Sequence, residues 1–214
     1  VPSPTDWPPL LATLLVGFYW ARVLKLVRKT RRRTGQSANF LPPEPLGRAL
    51  RVLWYPTVAA WIALPLIGVM VDSLPEFLRL RRPPAWVAWS GVLVMSLALA
   101  ATMVCWKRMG RSWRMGINPG ETTQLIVTGP YAYVRHPIYA LSTVLMLATL
   151  AAAPSIAMAV AAAIHLAFLQ WEARREEQYL LRTHGATYGD YCRRVGRFVP
   201  RSLKPHRNAS GLAD

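Results

Sequence analysis

The chain has 214 residues, of which 53% are apolar and 17% charged, with a mean hydropathy of +0.20. That length suits one domain or one small bundle, and the composition is too apolar for an ordinary soluble protein. The net charge of +16 points to nucleic acid, an anionic membrane surface or an anionic substrate; the basic residues flank apolar stretches and no nucleic-acid motif is present, which argues against nucleic acid.

In chain order, residues 8–21, 52–71 and 83–106 carry no ionised side chain, and residues 137–171 carry only His165 as a titratable group of that kind. A spanning helix needs roughly 20 apolar residues. The first stretch reaches that length if Arg22 and Lys25 snorkel at its end. The fourth is about 35 residues long, which at 1.5 Å each exceeds a bilayer, and Pro154 interrupts it. It is predicted as two helices, 138–152 and 155–175, joined by a tight turn. The expected fold is therefore all-α and integral to the membrane, with about five transmembrane helices and a C-terminal helical hairpin.

Charge gives the expected topology. Lys and Arg number nine in 22–51, five in 107–135 and nine in 172–214, against three in 72–82. The positive-inside rule makes the rich side cytoplasmic, with the N-terminus outside and the tail inside. Much of the net charge is then topology, with attraction to anionic headgroups added. Trp7, Trp20, Trp86, Trp106 and Trp171 fall near span ends, as in an aromatic belt, whereas Trp61 and Trp89 fit ordinary packing better. No basic segment or small-residue cleavage site marks the first span as a cleaved leader. Cys105 and Cys192 are too few for a disulfide framework, and both fall on the expected cytoplasmic side, where thiols stay reduced.

Between the spans, residues 28–51 read as a basic, proline-containing loop, the best candidate for disorder or for a flap over a site. Residues 72–84 read as a short external turn, and 107–128 as a linker broken by Gly110, Gly116, Pro119 and Gly120. Residues 172–182 continue the last span as a charged helix. Gly185 breaks it, and 187–195 form a short amphipathic helix. The organisation is two-part: three helices with the basic loop in 1–106, and a hairpin with its tail in 107–214.

Two polar segments stand at one end of the hairpin. Residues 129–139 read GPYAYVRHPIY and residues 176–191 read EEQYLLRTHGATYGDY. Gly129-Pro130 sets a turn, Pro137 suits the first turn of a helix, and His136 before it is kept out of helical geometry. Arg135 then sits at the mouth of a span. Taken singly, Arg135 also reads as a positive-inside anchor, the tyrosines as interface aromatics and Glu176–Glu177 as an exposed helix face. Taken together, a hairpin would set adjacent carboxylates opposite Arg135 in a polar cup. Tyr188 and Tyr191, at i and i+3, share a helix face that would close it. His136, His165, His184, His206 and the two cysteines show no metal-ligand spacing.

The pattern GPYxYxRHPxY, then EExxLxxxxGxxYxxY, then VxRxxP resembles the integral-membrane methyltransferases of the isoprenylcysteine carboxyl methyltransferase type, and phospholipid N-methyltransferases are similar. It covers roughly 105–200, here as GRSW (110–113), TGPYAYVRHPIY (128–139), EEQYLLRTHGATYGDY (176–191) and VGRFVP (195–200). The resemblance implies S-adenosylmethionine in a cytoplasmic-side pocket and a lipophilic small-molecule or lipid-modified acceptor entering from the bilayer. It implies Arg135 and Glu176 as catalytic residues, Arg135 orienting or neutralising the acceptor. It implies Tyr131, His136, Pro137, Tyr139, Glu176, Glu177, Tyr188 and Tyr191 as cofactor-binding residues. Leu141 replaces a frequent glycine and His184 a frequent phenylalanine, which bear on the backbone approach to the cofactor and on the acceptor wall.

The chemistry fits either of two acceptors. A carboxylate needs a cation and dehydration but no base at neutral pH, and Arg135 suits it. An amine must lose a proton, which makes Glu176, Glu177 or His136 a base candidate. A carboxylate on a small lipid acid or isoprenylcysteine-like group is favoured; an amine phospholipid or a thiol are alternatives, and a membrane NADPH reductase or a non-enzymatic membrane protein are the rivals outside the class. The Ala- and Arg-rich composition suggests a bacterial inner membrane.

Overall fold

The computed structural model describes residues 3–35, 44–110, 113 and 125–205. Its helices are α1 (Trp7–Thr34), α2 (Pro45–Met70), α3 (Ala85–Met109), α4 (Pro137–Ala152) and α5 (Ile156–Arg194). α1, α2, α3 and α5 are long and apolar enough to cross a membrane, and α4 is a shorter apolar helix. The described residues contain no strand, only an isolated bridge between Val134 and Gly196. The fold is that of an all-helical integral membrane protein. Large apolar side chains such as Leu14, Leu53, Leu93, Leu97 and Val160 stay exposed on its outside, as a lipid-facing surface requires.

The hairpin turns where the sequence predicts. α4 ends at Ala152, Pro154 follows, and Ser155 caps α5 by accepting a hydrogen bond from the Met158 amide at 3.1 Å. The 71–84 segment lies over this turn: the Arg81 amide donates to the Pro154 carbonyl (2.8 Å) and the Ala157 amide to that of Phe77 (2.9 Å). At the other end α5 runs on past the apolar stretch, and Gly185 breaks it with φ 52° and ψ −128°. A left-handed φ of this kind is open to glycine and strained for other residues.

α3 packs along α4, and α2 packs on both α1 and α5. Gly91 permits the first contact: a Cβ there would stand 2.7 Å from the Ala148 carbonyl oxygen and 3.3 Å from the Ala152 Cβ. Met95, Trp61, Leu145, Met146 and Met158 fill the centre. With 16 residues, α4 is about 24 Å long, short of the ~30 Å hydrocarbon core.

Two expectations need correction. The 28–51 segment is not a long loop. α1 continues to Thr34, because Lys and Arg are good helix formers, and Gly35 ends it at φ 70°. α2 already begins at Pro45, with proline in its first turn. Residues 36–43, the core of the expected flap, lie outside the described residues, as do Arg111, Ser112, Gly116, Pro119, Gly120 and His206. The aromatic belt is also thinner than expected. Trp7 and Trp86 are exposed, but Trp106 is buried in the bundle, while Trp89, expected to pack inside, is 47% exposed.

Candidate active site

The turn before α4 is held by the tail that follows α5. Gly129 opens a short 3-10 turn, Gly129–Ala132, at φ 63°. Beyond it the backbone of 134–136 pairs with 196–197. The Arg135 amide donates to the Gly196 carbonyl (2.8 Å) and the His136 amide to that of Arg197 (3.1 Å). Gly196 is needed there, since a Cβ would collide with the Val199 carbonyl oxygen. His136 then leads into Pro137 and α4.

Side chains reinforce this clasp. Arg135 directs Nε (2.9 Å) and Nη2 (2.8 Å) at Glu177 Oε1, and its Nη1 donates to the Cys192 (3.1 Å) and Val195 carbonyls. Arg197 meets the same carboxylate from the tail, Nε at 3.0 Å and Nη2 at 2.5 Å. Burial by itself would raise the Glu177 carboxyl, but hydrogen bonds from His136, Arg197 and Arg135 override it and hold it well below the usual range. The hairpin thus brings Arg135, His136 and Glu177 into contact across more than forty residues of sequence. Arg135 has its guanidinium engaged by Glu177 and two carbonyls, on a side chain only 8% exposed.

Glu176 points elsewhere. Its carboxylate is 3.6 Å from His136 Nδ1. The His136 ring, whose Nε2 is 3.3 Å from Glu177, stacks flat on Tyr139 at 5.4 Å between centroids. Glu176, His136, Pro137, Tyr139, Tyr131 and Arg135 all line one cavity, which holds about 830 Å³ of empty space with its open mouth included. Glu177, Tyr188 and Tyr191 are not on its wall. The two tyrosines pack with Val127 and Val195 in a separate buried cluster, and the Tyr191 hydroxyl donates to the Tyr131 carbonyl at 2.5 Å. Burial pushes both phenols up from their ordinary value.

The rest of the cavity was not foreseen. Arg51 of α2 is fully buried and pairs with Glu172 of α5 at 3.2 Å, and its guanidinium covers the rings of Trp54 and Phe168. Glu172 also meets Arg175 (3.5 Å), which reaches Glu44 (3.5 Å). In sequence, Arg51 reads as one more basic residue beside a span; its distance of 121 positions from Glu172 hides the pairing. One cue was present: Trp54 lies three residues on, where a helix stacks neighbours.

The residues fit S-adenosylmethionine. The cavity wall carries two carboxylates, Glu172 and Glu176, and aromatic faces from Tyr131, Tyr139 and Trp113. Carboxylates match an ammonium group or ribose hydroxyls, and aromatic faces match a sulfonium cation or an adenine ring. Among the described residues no group of three or more His, Cys, Asp or Glu is placed to hold a metal ion.

Comparison with known proteins agrees with the motifs. Residues 90–182 match the model of the isoprenylcysteine carboxyl methyltransferase (ICMT) family. The matched segment contains α4, the turn before it and both glutamates, and it leaves out Tyr19, Arg51, Tyr188, Tyr191 and the 195–200 tail. Over 116 residues the chain is 31% identical to the nickel-cobalt-cadmium resistance protein NccN of Alcaligenes xylosoxydans xylosoxydans. It is 29% identical over 116 residues to the cobalt-zinc-cadmium resistance protein CzcN of Cupriavidus metallidurans. Each alignment covers 53% of this chain and 54% of the relative, so the chain spans about half the length of the curated relatives it matches.

Proposed function

Starting from the resemblance to the ICMT family, we propose that this integral membrane protein transfers a methyl group from S-adenosylmethionine to a lipophilic acceptor. One observation carries the reading: the matched segment supplies most of the wall of a cavity lined by Glu176, His136 and Tyr139.

S-adenosylmethionine supplies an activated methyl on a sulfonium sulfur; the acceptor's lone pair forms the new bond to carbon as the carbon–sulfur pair returns to sulfur. The protein's part is alignment and dehydration. Glu176 holds a positive or hydroxyl-bearing part of the donor. His136, stacked on Tyr139, closes the wall beside it. Arg135 acts as a positioning residue: with Glu177 and Arg197 it fastens the tail to the turn and so keeps His136 and Tyr139 in register. Charge distribution supports a cavity mouth on the cytoplasmic side, with the N-terminus outside and the C-terminus inside.

The names of the two relatives connect those proteins with metal resistance. The methyl-transfer reading rests instead on the match to the ICMT family model over residues 90–182. The test is transfer of a tritiated methyl group from S-adenosylmethionine into total membrane lipids and small acids, followed by mass identification of the product. Labelled lipophilic product that disappears with Glu176→Gln supports the proposal. Absence of any labelled product across both pools would defeat it.

A further inference from the structure

A second hollow opens between the C-terminal ends of α1 and α3, which pack together. It holds about 1320 Å³ of empty space with its mouth included. Only Trp106 and Trp113 are common to its lining and that of the candidate active site. Four cations line it: Arg22, Lys29 and Arg33 of α1, and Lys107 of α3. No carboxylate does, and neither helix contains an Asp or Glu.

Helical spacing makes the groove amphipathic along its length. Arg22, Leu26, Lys29 and Arg33 follow one another at steps of four, three and four residues, so they share one face of α1. Traced back toward the middle of α1, that face continues as Phe18 and Leu14, both apolar and both exposed. On α3, exposed Met103 stands one turn before Lys107 on the same side of the groove. An apolar rail thus leads into a cationic end, and that end lies on the side proposed to be cytoplasmic.

The cations are also uncommitted. Arg51, Arg135, Arg175 and Arg197 each meet a carboxylate. Arg22, Lys29, Arg33 and Lys107 meet none among the described residues. Like charges gathered round one hollow repel each other, and an anion between them relieves that repulsion. Membrane orientation asks only for Lys and Arg somewhere on this side. Arg31 and Arg32 meet that need from exposed positions off the groove. It does not require four cations from two helices to converge at the end of an apolar rail.

We infer that this groove binds one anionic phospholipid from the surrounding leaflet. Its phosphodiester sits among the four cations, and its acyl chains run along Leu26, Phe18, Leu14 and Met103. A basic hollow between membrane helices on the cytoplasmic side suits such a headgroup. A free phosphate would meet the same cations and leave the rail unused, which favours the lipid. The inference is independent of methyl transfer, and α1 lies outside the segment that matches the family.

The test is native mass spectrometry of the full-length protein in detergent, titrated with dioleoylphosphatidylglycerol, dioleoylphosphatidylcholine and glycerol 3-phosphate. One phosphatidylglycerol is expected to bind at least tenfold more tightly than either of the other two. A juxtamembrane Lys or Arg contributes roughly fivefold. Lys29→Gln with Arg33→Gln should therefore weaken phosphatidylglycerol about 25-fold and leave phosphatidylcholine unchanged. Lys107→Gln alone should weaken it about fivefold, because the site needs both helices. Arg31→Gln with Arg32→Gln removes the same charge from the same stretch of helix and should change binding less than about twofold. All five side chains are exposed, so the variants leave the packing alone. Equal losses in the two double variants would reduce the effect to diffuse attraction and overturn the inference. So would equal affinity for the two lipids, or no bound phosphatidylglycerol. Glycerol 3-phosphate binding as tightly as the lipid would assign the groove to a free phosphate instead.

Discussion

Glu177 is the joint between the turn and the tail, and Glu177→Gln should release the tail. The carboxylate is 7% exposed and meets Arg135, Arg197 and His136 at once. Glutamine keeps the shape, but it leaves two guanidinium groups facing each other without a counter-charge. Removing one member of a buried pair costs about 3–5 kcal/mol. The lower end applies here, because the Arg197 side chain is 28% exposed and can swing into water. About 3 kcal/mol corresponds to a roughly 150-fold larger open population. Arg193, Arg194, Arg197 and Arg201 place trypsin sites on the tail, and cleavage of a transiently opened segment tracks that population. Trypsin should therefore cut 193–201 about two orders of magnitude faster in the variant, with the bundle core intact. Arg135→Gln should do the same, and the double variant should fall short of the sum. An unchanged cleavage rate in Glu177→Gln would refute the clasp and return Arg135 to a role at the acceptor.

The clasp should also show in pH dependence. Because the folded Glu177 carboxyl is held below its ordinary 4.5, its contribution is complete above that value and fades as pH falls further below it; the protection factors of the 193–197 amides, corrected for intrinsic exchange, should be flat from pH 7 to 5 and fall in more acid solution. Arg51→Met alone should destabilise the protein by about 3–5 kcal/mol by leaving Glu172 buried, whereas Arg51→Met with Glu172→Met should recover most of that, as read by thermal unfolding in detergent. Gly91→Leu should cost about 1–3 kcal/mol in the same assay, because its side chain would force α3 from the Ala148 backbone. A reporter fused at the C-terminus should be cytoplasmic and one at Pro154 external; the reverse pattern would overturn the proposed orientation.

The hairpin was legible because its signals are local. A run without charges, a proline at its middle and a glycine past its end fix α4, α5 and the break at Gly185. The meeting of 135–139 with 176–177 followed from that hairpin. What stayed hidden depends on partners distant in sequence. Arg51 looks like any basic flank until α2 packs on α5. The hydrogen bonds that join Trp54, His165 and Ser142 need one residue from each of three helices, and no spacing within a single helix announces them. Trp106 read as belt because a tryptophan at a span end looks the same whether it faces lipid or a cavity. The 28–51 segment misled for another reason: a run of arginines signals solvent exposure, and solvent exposure is compatible with helix.

Methyl transfer here requires that Glu176 and its neighbours form a donor site. The most direct measurement is calorimetric titration of the purified full-length protein with S-adenosylmethionine, repeated with Glu176→Gln. Saturable binding is expected, weakening about tenfold or more in the variant while trypsin cleavage of the tail stays unchanged. No binding by the unaltered protein, or equal affinity in both, would contradict it.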